Sequence, residues 1–315
     1  MKAVIDSRIK FRHLQTFVEV ARQKSVMKAA ELLNVSQPAV TKTIRELEQA
    51  LGVGVFEREG RGIRITRYGE VFLRYAGAAL TALRQGLDSV SQEKFGDAPP
   101  IRIGALPTVS TRIMPRAMEL FLTENTWSRV KIVTGDNAVL LEQLRVGDLD
   151  LVVGRLAGAE RMTGFSFEHL YSEQVVFAVR AGHPLLDAGK SLFADLGRYT
   201  LLMPTRSSII RPVVENFLIA NGVASLPSQI ETVSDAFGRA FVRDSNAVWI
   251  ISNGVVARDI VDGVLASLSV DTSETKGPVG LTMRTDSVPS PPLSILMQTI
   301  REAAREISGE PAPEH

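Results

Sequence analysis

The sequence predicts an N-terminal winged helix-turn-helix of largely helical content, a long connecting helix, and an α/β body of two subdomains. Three observations carry that expectation. Capped amphipathic segments crowd into the first 52 residues, an apolar seam spaced 4, 3, 4, 4, 4 and 3 runs from Tyr68 to Val90, and short apolar runs alternate with helical stretches from Ile101 onward. At 315 residues the chain is long enough for two or three cores.

Leu14, Phe17, Val18 and Ala21 fall at helical spacing and predict a first helix over 11–23. Ser25 caps a second, whose inner face is Val26, Ala29, Ala30 and Leu33; the two alanines let a neighbouring helix approach closely. Asn34 tolerates the left-handed conformation that ends this helix and turns the chain. Ser36 is the next N-cap, and Pro38 sits in the first turn, where a missing N–H costs nothing. Val40, Ile44, Leu47 and Leu51 form the buried stripe of the third helix, which stops at Gly52. Two helices joined by so short a turn form a helix-turn-helix, and the opposite face of the second carries Gln37, Thr41, Lys42 and Arg45.

A hairpin follows. Val55-Phe56, a Gly60-Arg61-Gly62 turn and alternating Ile63 and Ile65 predict two short strands. Arg58, Arg61, Arg64 and Arg67 recur along it every third residue, a basic edge suited to phosphates or the minor groove, or simply a solvated turn. Charge supports the nucleic-acid reading. Residues 1–95 hold 16 Lys+Arg against 10 Asp+Glu, a net of +6, while the remainder is net −5.

Thr66 caps the long helix predicted to reach about Glu93, roughly 40 Å at ~1.5 Å per residue. Its seam is Tyr68, Phe72, Tyr75, Ala79, Leu83, Leu87 and Val90. A lone exposed helix of that length is marginal in water, so it either pairs or packs on its own body. "GDAPP", 96–100, reads as a hinge.

In the body, "IRIGAL", "RVKIVTG" and "DLDLVVGR" are strands, with helices at 110–124 and 138–146. A second series comprises "EQVVFAV", "YTLLMP", a helix at 209–221, "SQIETV", a helix at 235–243 and "AVWIIS"; "VGLTMRT" and a helix at 292–307 close the chain. The alternation predicts doubly wound parallel sheets, whose ligands lie beyond the carboxyl ends of the strands. That rule selects Thr108 and Ser110 after the first strand, Asn137 after the second, and Thr205, Arg206, Ser207 and Ser208 in the matching loop of the other half. Hydroxyls, helix N–H groups and the Arg206 fork suit a carboxylate, although each hydroxyl or amide could equally be an ordinary cap. Arg155 either borders this cleft or only closes a subdomain.

The absence of cysteine excludes disulfides and thiolate metal sites, and His13, His169, His183 and His315 are scattered without metal-ligand spacing. Ser25-Val-Met-Lys28 fits the S-x-x-K of serine acylases but lacks its companion elements, so no catalytic constellation and no cofactor are expected. With neither a signal-peptide core nor a membrane span, the expected location is the cytoplasm.

The stretch from Phe11 to Glu70 closely resembles the DNA-binding domain of LysR-type transcriptional regulators. The matching residues are Ala29-Ala30, Val35-Ser36-Gln37-Pro38-Ala39, Ile44-Arg45-Glu46-Leu47-Glu48, Leu51-Gly52, Val55-Phe56 and Thr66. The resemblance implies a winged helix-turn-helix over 1–66 and a dimerising helix over 67–95, with Phe72, Tyr75, Ala79, Leu83 and Leu87 in its interface. It further implies a hinge at 96–100 and a periplasmic-binding-protein-like effector domain over 101–315, with subdomain I at about 101–168 and 271–308 and subdomain II at about 169–270. DNA contacts fall to Ser36, Gln37, Pro38, Thr41, Lys42, Arg45, Arg58, Arg61 and Arg64. Lys42 stands where the family commonly has Arg, which keeps charge but loses the bidentate fork. The implied partners are a two-fold symmetric operator, RNA polymerase, a second or further copy of the chain, and a small anionic inducer. The branch most resembled controls protocatechuate catabolism, which implies a dicarboxylate from aromatic ring cleavage.

Overall fold

The computed structural model describes residues 8–60, 62–95, 100–124, 129–189, 192–223 and 228–308. Two compact units divide the chain: Met1–Pro99 with Glu142–Leu149, and Pro100–Leu141 with Asp150–His315.

The first unit holds α1 (Phe11–Gln23), α2 (Val26–Leu32), α3 (Gln37–Leu51), the hairpin β1 (Phe56–Glu59) and β2 (Gly62–Ile65), and α4 (Arg67–Phe95). Local chemistry sets each boundary as expected. Ser25 and Ser36 accept from the N–H groups of Lys28 and Ala39, and Asn34 and Gly52 end their helices in the left-handed region, at φ 53° and 71°. Phe17, Ala29, Val40, Leu47 and Val55 are buried in the core these elements share, and Phe56 and Phe72 flank Phe17 at 5.3 and 5.2 Å between ring centroids. Glu48 Oε1 accepts from the N–H of Val55 at 2.9 Å, tying the end of α3 to the start of the hairpin. Of the predicted hinge, 96–99 lie outside the described residues.

The second unit begins with β3 (Ile101–Ala105), α5 (Pro107–Arg112), α6 (Met114–Glu124), β4 (Val130–Thr134), α7 (Asn137–Arg145), β5 (Leu151–Arg155) and β6 (Phe165–Glu173). It continues through β7 (Val175–Arg180), α8 (Leu192–Leu196), β8 (Leu201–Met203), α9 (Arg211–Ala220), β9 (Gln229–Glu231), α10 (Asp235–Arg243) and β10 (Val248–Ser252). Last come α11 (Asn253–Val261), β11 (Leu265–Ser267), β12 (Gly277–Arg284) and α12 (Pro291–Ser308). The strands form two five-stranded sheets, ordered β4-β3-β5-β12-β6 and β11-β7-β10-β8-β9. Among the described residues no helix is long and apolar enough to cross a membrane.

The structure differs from expectation in three places. Each sheet is mixed rather than parallel: β12 runs antiparallel to β5 and β6, and β7 antiparallel to β10 and β11. These strands enter from the connecting segments between the two halves, so they need no βαβ crossover. The segment Phe165–Glu173 is a strand, so the first crossing falls after Glu173 and not at 168. Its exposed polar positions hide a periodicity that only its partner, more than a hundred residues away, makes explicit. Finally, the helix expected at 110–124 begins at Pro107 and breaks at Ile113 into α5 and α6.

Candidate nucleic-acid interface and ligand cavity

Gln37, Pro38, Thr41, Lys42 and Arg45 line one concave outer face of α3, together with Glu46 and Gln49. The N-cap and the buried Val40–Ile44–Leu47 stripe fix which face this is. Ser36 is exposed, but its hydroxyl oxygen is engaged by the Ala39 N–H at 3.4 Å. Glu46, which the motif includes without giving it a role, places a carboxylate among these cations. It accepts from Arg12 Nη2 at 2.9 Å and lies 3.2 Å from Nε2 of buried His13, while Lys42 Nζ is 4.0 Å away. The Arg12 hydrogen bond, then that of His13, holds its carboxyl below the usual glutamate range. Because His13 Nδ1 accepts the Lys10 N–H, the ring proton sits on Nε2 and points at Glu46. The acid is thus tied to α1, and Lys42 stays 79% exposed and Arg45 exposed.

The wing carries acidic partners for one of its arginines. Arg64 donates to Glu57 Oε1 across the hairpin, at 2.8 Å from Nε, and lies 3.8 Å from Glu59, so its charge is already compensated. The every-third-residue pattern could not show this, because the acidic residues are contributed by the opposite strand. Arg58 is exposed and Arg67 sits exposed in the first turn of α4, whereas Arg61 lies outside the described residues. On α4, Tyr75, Ala79, Leu83 and Leu87 face outward, Leu87 at 61% exposure, while Leu73 and Ala76 turn into the core. Phe72 differs from the rest of its predicted seam, being half-buried against Phe17.

The second unit encloses a cavity of about 70 Å³. Thr108 at the start of α5, Asp136 and Asn137 after β4, Arg155 ending β5, Thr205 and Ser208 after β8, and Asp235 opening α10 all line it. Leu106, Ile209, Ile210, Val233, Trp249, Ile251 and Val255 supply apolar walls. This is the position the strand-end rule predicts.

Arg155 dominates its chemistry. Only 7% of it is exposed; Nη2 donates to the carbonyls of Glu173 and Thr275 at 2.7 and 2.5 Å, and Nη1 has no hydrogen-bond partner among the described residues. Burial draws its guanidinium below the ordinary arginine range, and the Glu173 charge opposes that shift. A Cβ on Gly277 would stand 2.7 Å from Arg155 Nε, so this side chain packs where only glycine leaves room. Asn137 is buried beside it; Nδ2 is 3.4 Å from the Arg155 carbonyl and Oδ1 is unpartnered. Two residues that line the cavity thus each keep one buried polar atom without a partner, a cationic donor on Arg155 and an acceptor on Asn137. Burial pushes the Asp235 carboxyl above the usual aspartate range, with Arg239 pulling the other way.

The other predicted residues divide. Thr108 lines the cavity, but its hydroxyl donates to the buried carboxylate of Glu173, which also accepts from Arg112. Ser110 does not line it; one turn along α5, its hydroxyl bonds the Pro107 carbonyl at 3.0 Å. Arg206 does not line it either; it is 88% exposed and 3.9 Å from Glu231. Sequence reasoning chose the cation in the loop and left open the one at the strand end. Ser207 stands off the wall and donates to Asp136 at 2.7 Å.

Two family descriptions match the chain: "Bacterial regulatory helix-turn-helix protein, lysR family" over residues 11–70 and "LysR substrate binding domain" over 96–305. The HTH-type transcriptional regulator PcaQ of Agrobacterium fabrum is 72% identical over 304 residues, covering 96% of this chain and 98% of that protein. YdcI, an uncharacterized HTH-type transcriptional regulator of Escherichia coli, is 31% identical, with 96% and 98% covered. Full-length LysG of Corynebacterium glutamicum, solved with bound effector arginine, superposes with a TM-score of 0.60 at 18% identity, covering 95% of this chain and 99% of that one. A full-length OxyR from Pseudomonas aeruginosa gives 0.59 at 21%, covering 94% and 95%. At these identities the two structures speak for the fold.

Proposed function

This chain belongs to the LysR family and is a DNA-binding transcription regulator; from that footing we propose that it releases or repositions on its operator when a small carboxylate fills the cavity of its second unit. The observation that carries the proposal is Arg155, buried in a largely apolar wall with one N–H unpartnered beside an unpartnered Asn137 oxygen. A buried, half-satisfied cation is costly to maintain, and a ligand carboxylate meets that need with a charge-assisted bond.

Gln37, Thr41 and Arg45 read base edges in the major groove while Lys42 and Arg58 hold phosphates. Two copies join along the outward apolar residues of α4, so that paired wings meet a site with two-fold symmetry. Ligand binding shifts the relative placement of such pairs, and with it DNA bending and contact with RNA polymerase, in the cytoplasm and by binding rather than turnover. The 72% identity to PcaQ supports the protocatechuate branch and an inducer drawn from aromatic ring cleavage. Thermal shift against a panel of small carboxylates, followed by footprinting with the best of them, tests this. Ligand-linked stabilisation and an altered footprint are expected, and a flat panel overturns the reading.

A further inference from the structure

We infer that Asp136 is a resident occupant of an anion subsite at the mouth of this cavity, and that an anionic ligand binds there by displacing it. The inference rests on the carboxylate reading above and adds a specificity-determining residue to it.

The geometry is that of a carboxylate already bound. Asp136 Oδ2 accepts from Ser207 Oγ at 2.7 Å, Oδ1 lies 3.5 Å from Thr205 Oγ1, and the two hydroxyl oxygens are 3.2 Å apart. A hydroxyl has one proton to donate, so while Asp136 holds these hydroxyls no incoming carboxylate can use them. Asp136 and Thr205 line the same cavity as Arg155 and Asn137, each of which has one unpartnered buried polar atom.

Displacement is a like-for-like exchange. The ligand carboxylate takes over bonds that a side-chain carboxylate made, and half-buried Asp136 can turn to water and recover its hydration. Repulsion between the two negative groups favours this departure. A ligand with two carboxylates separated by a short spacer can answer Arg155 with one and replace Asp136 with the other. A ligand with one carboxylate answers Arg155 and leaves the Asp136–Ser207 bridge closed. The bridge joins the turn after β4 to the loop after β8, one from each sheet, so only the first kind of ligand exchanges that connection.

The test uses the full-length protein, adipate as dicarboxylate probe and acetate as a stand-in for the Asp136 side chain. In Asp136→Ala, acetate raises the melting temperature measurably more than it does in the wild type, and adipate binds at least fivefold more tightly than to wild type. Adding Ser207→Ala removes both gains. Asp136→Asn, isosteric and uncharged, gives a smaller tightening of about threefold and serves if the alanine variant does not fold. Equal or weaker adipate binding to the variants, with no acetate effect, overturns the inference and leaves the carboxylate reading standing. Acetate rescue with no adipate binding to any protein supports the resident-carboxylate assignment while overturning the dicarboxylate ligand.

Discussion

Arg112 Nη1 stands 2.8 Å from the carboxylate of Glu173, tying α5 to the last residue of β6 at a point where the glutamate side chain is only 2% exposed. Thr108 donates to the same carboxylate, and the Glu173 carbonyl holds Arg155, so one residue braces both the ion pair and the cation of the cavity. Removing the glutamate leaves half-buried Arg112 uncompensated and the Thr108 hydroxyl without its acceptor. Glu173→Ala is expected to cost about 3 kcal/mol in denaturant unfolding, and Glu173→Gln, whose amide oxygen still accepts, roughly half as much. A Glu173→Gln cost near zero would mean that charge plays no part there, and equal costs for both would mean that the retained acceptor contributes nothing.

On α3, Gln37→Ala is expected to weaken binding to the specific site by ~1–3 kcal/mol while barely changing affinity for random DNA, since Gln pairs bidentately with adenine. Lys42→Ala is expected to reduce the slope of log affinity against log salt by about 1, the signature of one lost phosphate contact. Both are read from fluorescence anisotropy titrations across a salt series. Losses of equal size on random and specific DNA in Gln37→Ala would exclude base readout.

Leu83 and Leu87 face outward from α4, exposed at 45% and 61%. Leu87→Asp places a charge in the proposed pairing seam and is expected to raise the dimer dissociation constant at least tenfold in sedimentation equilibrium, with the thermal unfolding of each unit little changed. Phe72→Ala is expected to act differently: because Phe72 packs on Phe17, it destabilises the DNA-binding unit itself. Unaltered self-association in Leu87→Asp would remove α4 as the pairing element.

Asp235 gives a pH dependence with a definite sign. Burial raises its folded-state pKa above the unfolded value, so the stability it contributes is complete below the unfolded pKa and is lost as pH rises through the folded one. Asp235→Asn escapes that loss. The variant's melting temperature minus that of the wild type is therefore expected to grow as pH rises from the ordinary aspartate range through the raised one, then level off. A difference that is flat with pH would show that Asp235 is not desolvated.

The legible and the hidden parts of this molecule separate by the range of the interactions that make them. Ser25, Asn34, Ser36 and Gly52 act on neighbours within a turn, so their caps and stops could be read directly from residue type. Thr108, Asn137, Thr205 and Ser208 were found because a topological rule places strand-end residues at the cavity. Glu173 and Asp136 were not, because their partners come from segments dozens of residues away, and Asp235 was not, because its burial comes from tertiary packing. Ser110 and Arg206 mislead for different reasons. A hydroxyl one helical turn along bonds its own backbone, and a loop cation beside Glu231 points away from the cavity.

The central claim is that a small carboxylate held in the cavity changes how the protein sits on DNA. Footprinting of the full-length protein on its own upstream region, with and without the carboxylate that most raises its melting temperature, tests it most directly. A shortened or shifted protected region at saturating ligand, returning on dialysis, is the predicted result. An identical footprint at every ligand concentration that saturates the protein would contradict it.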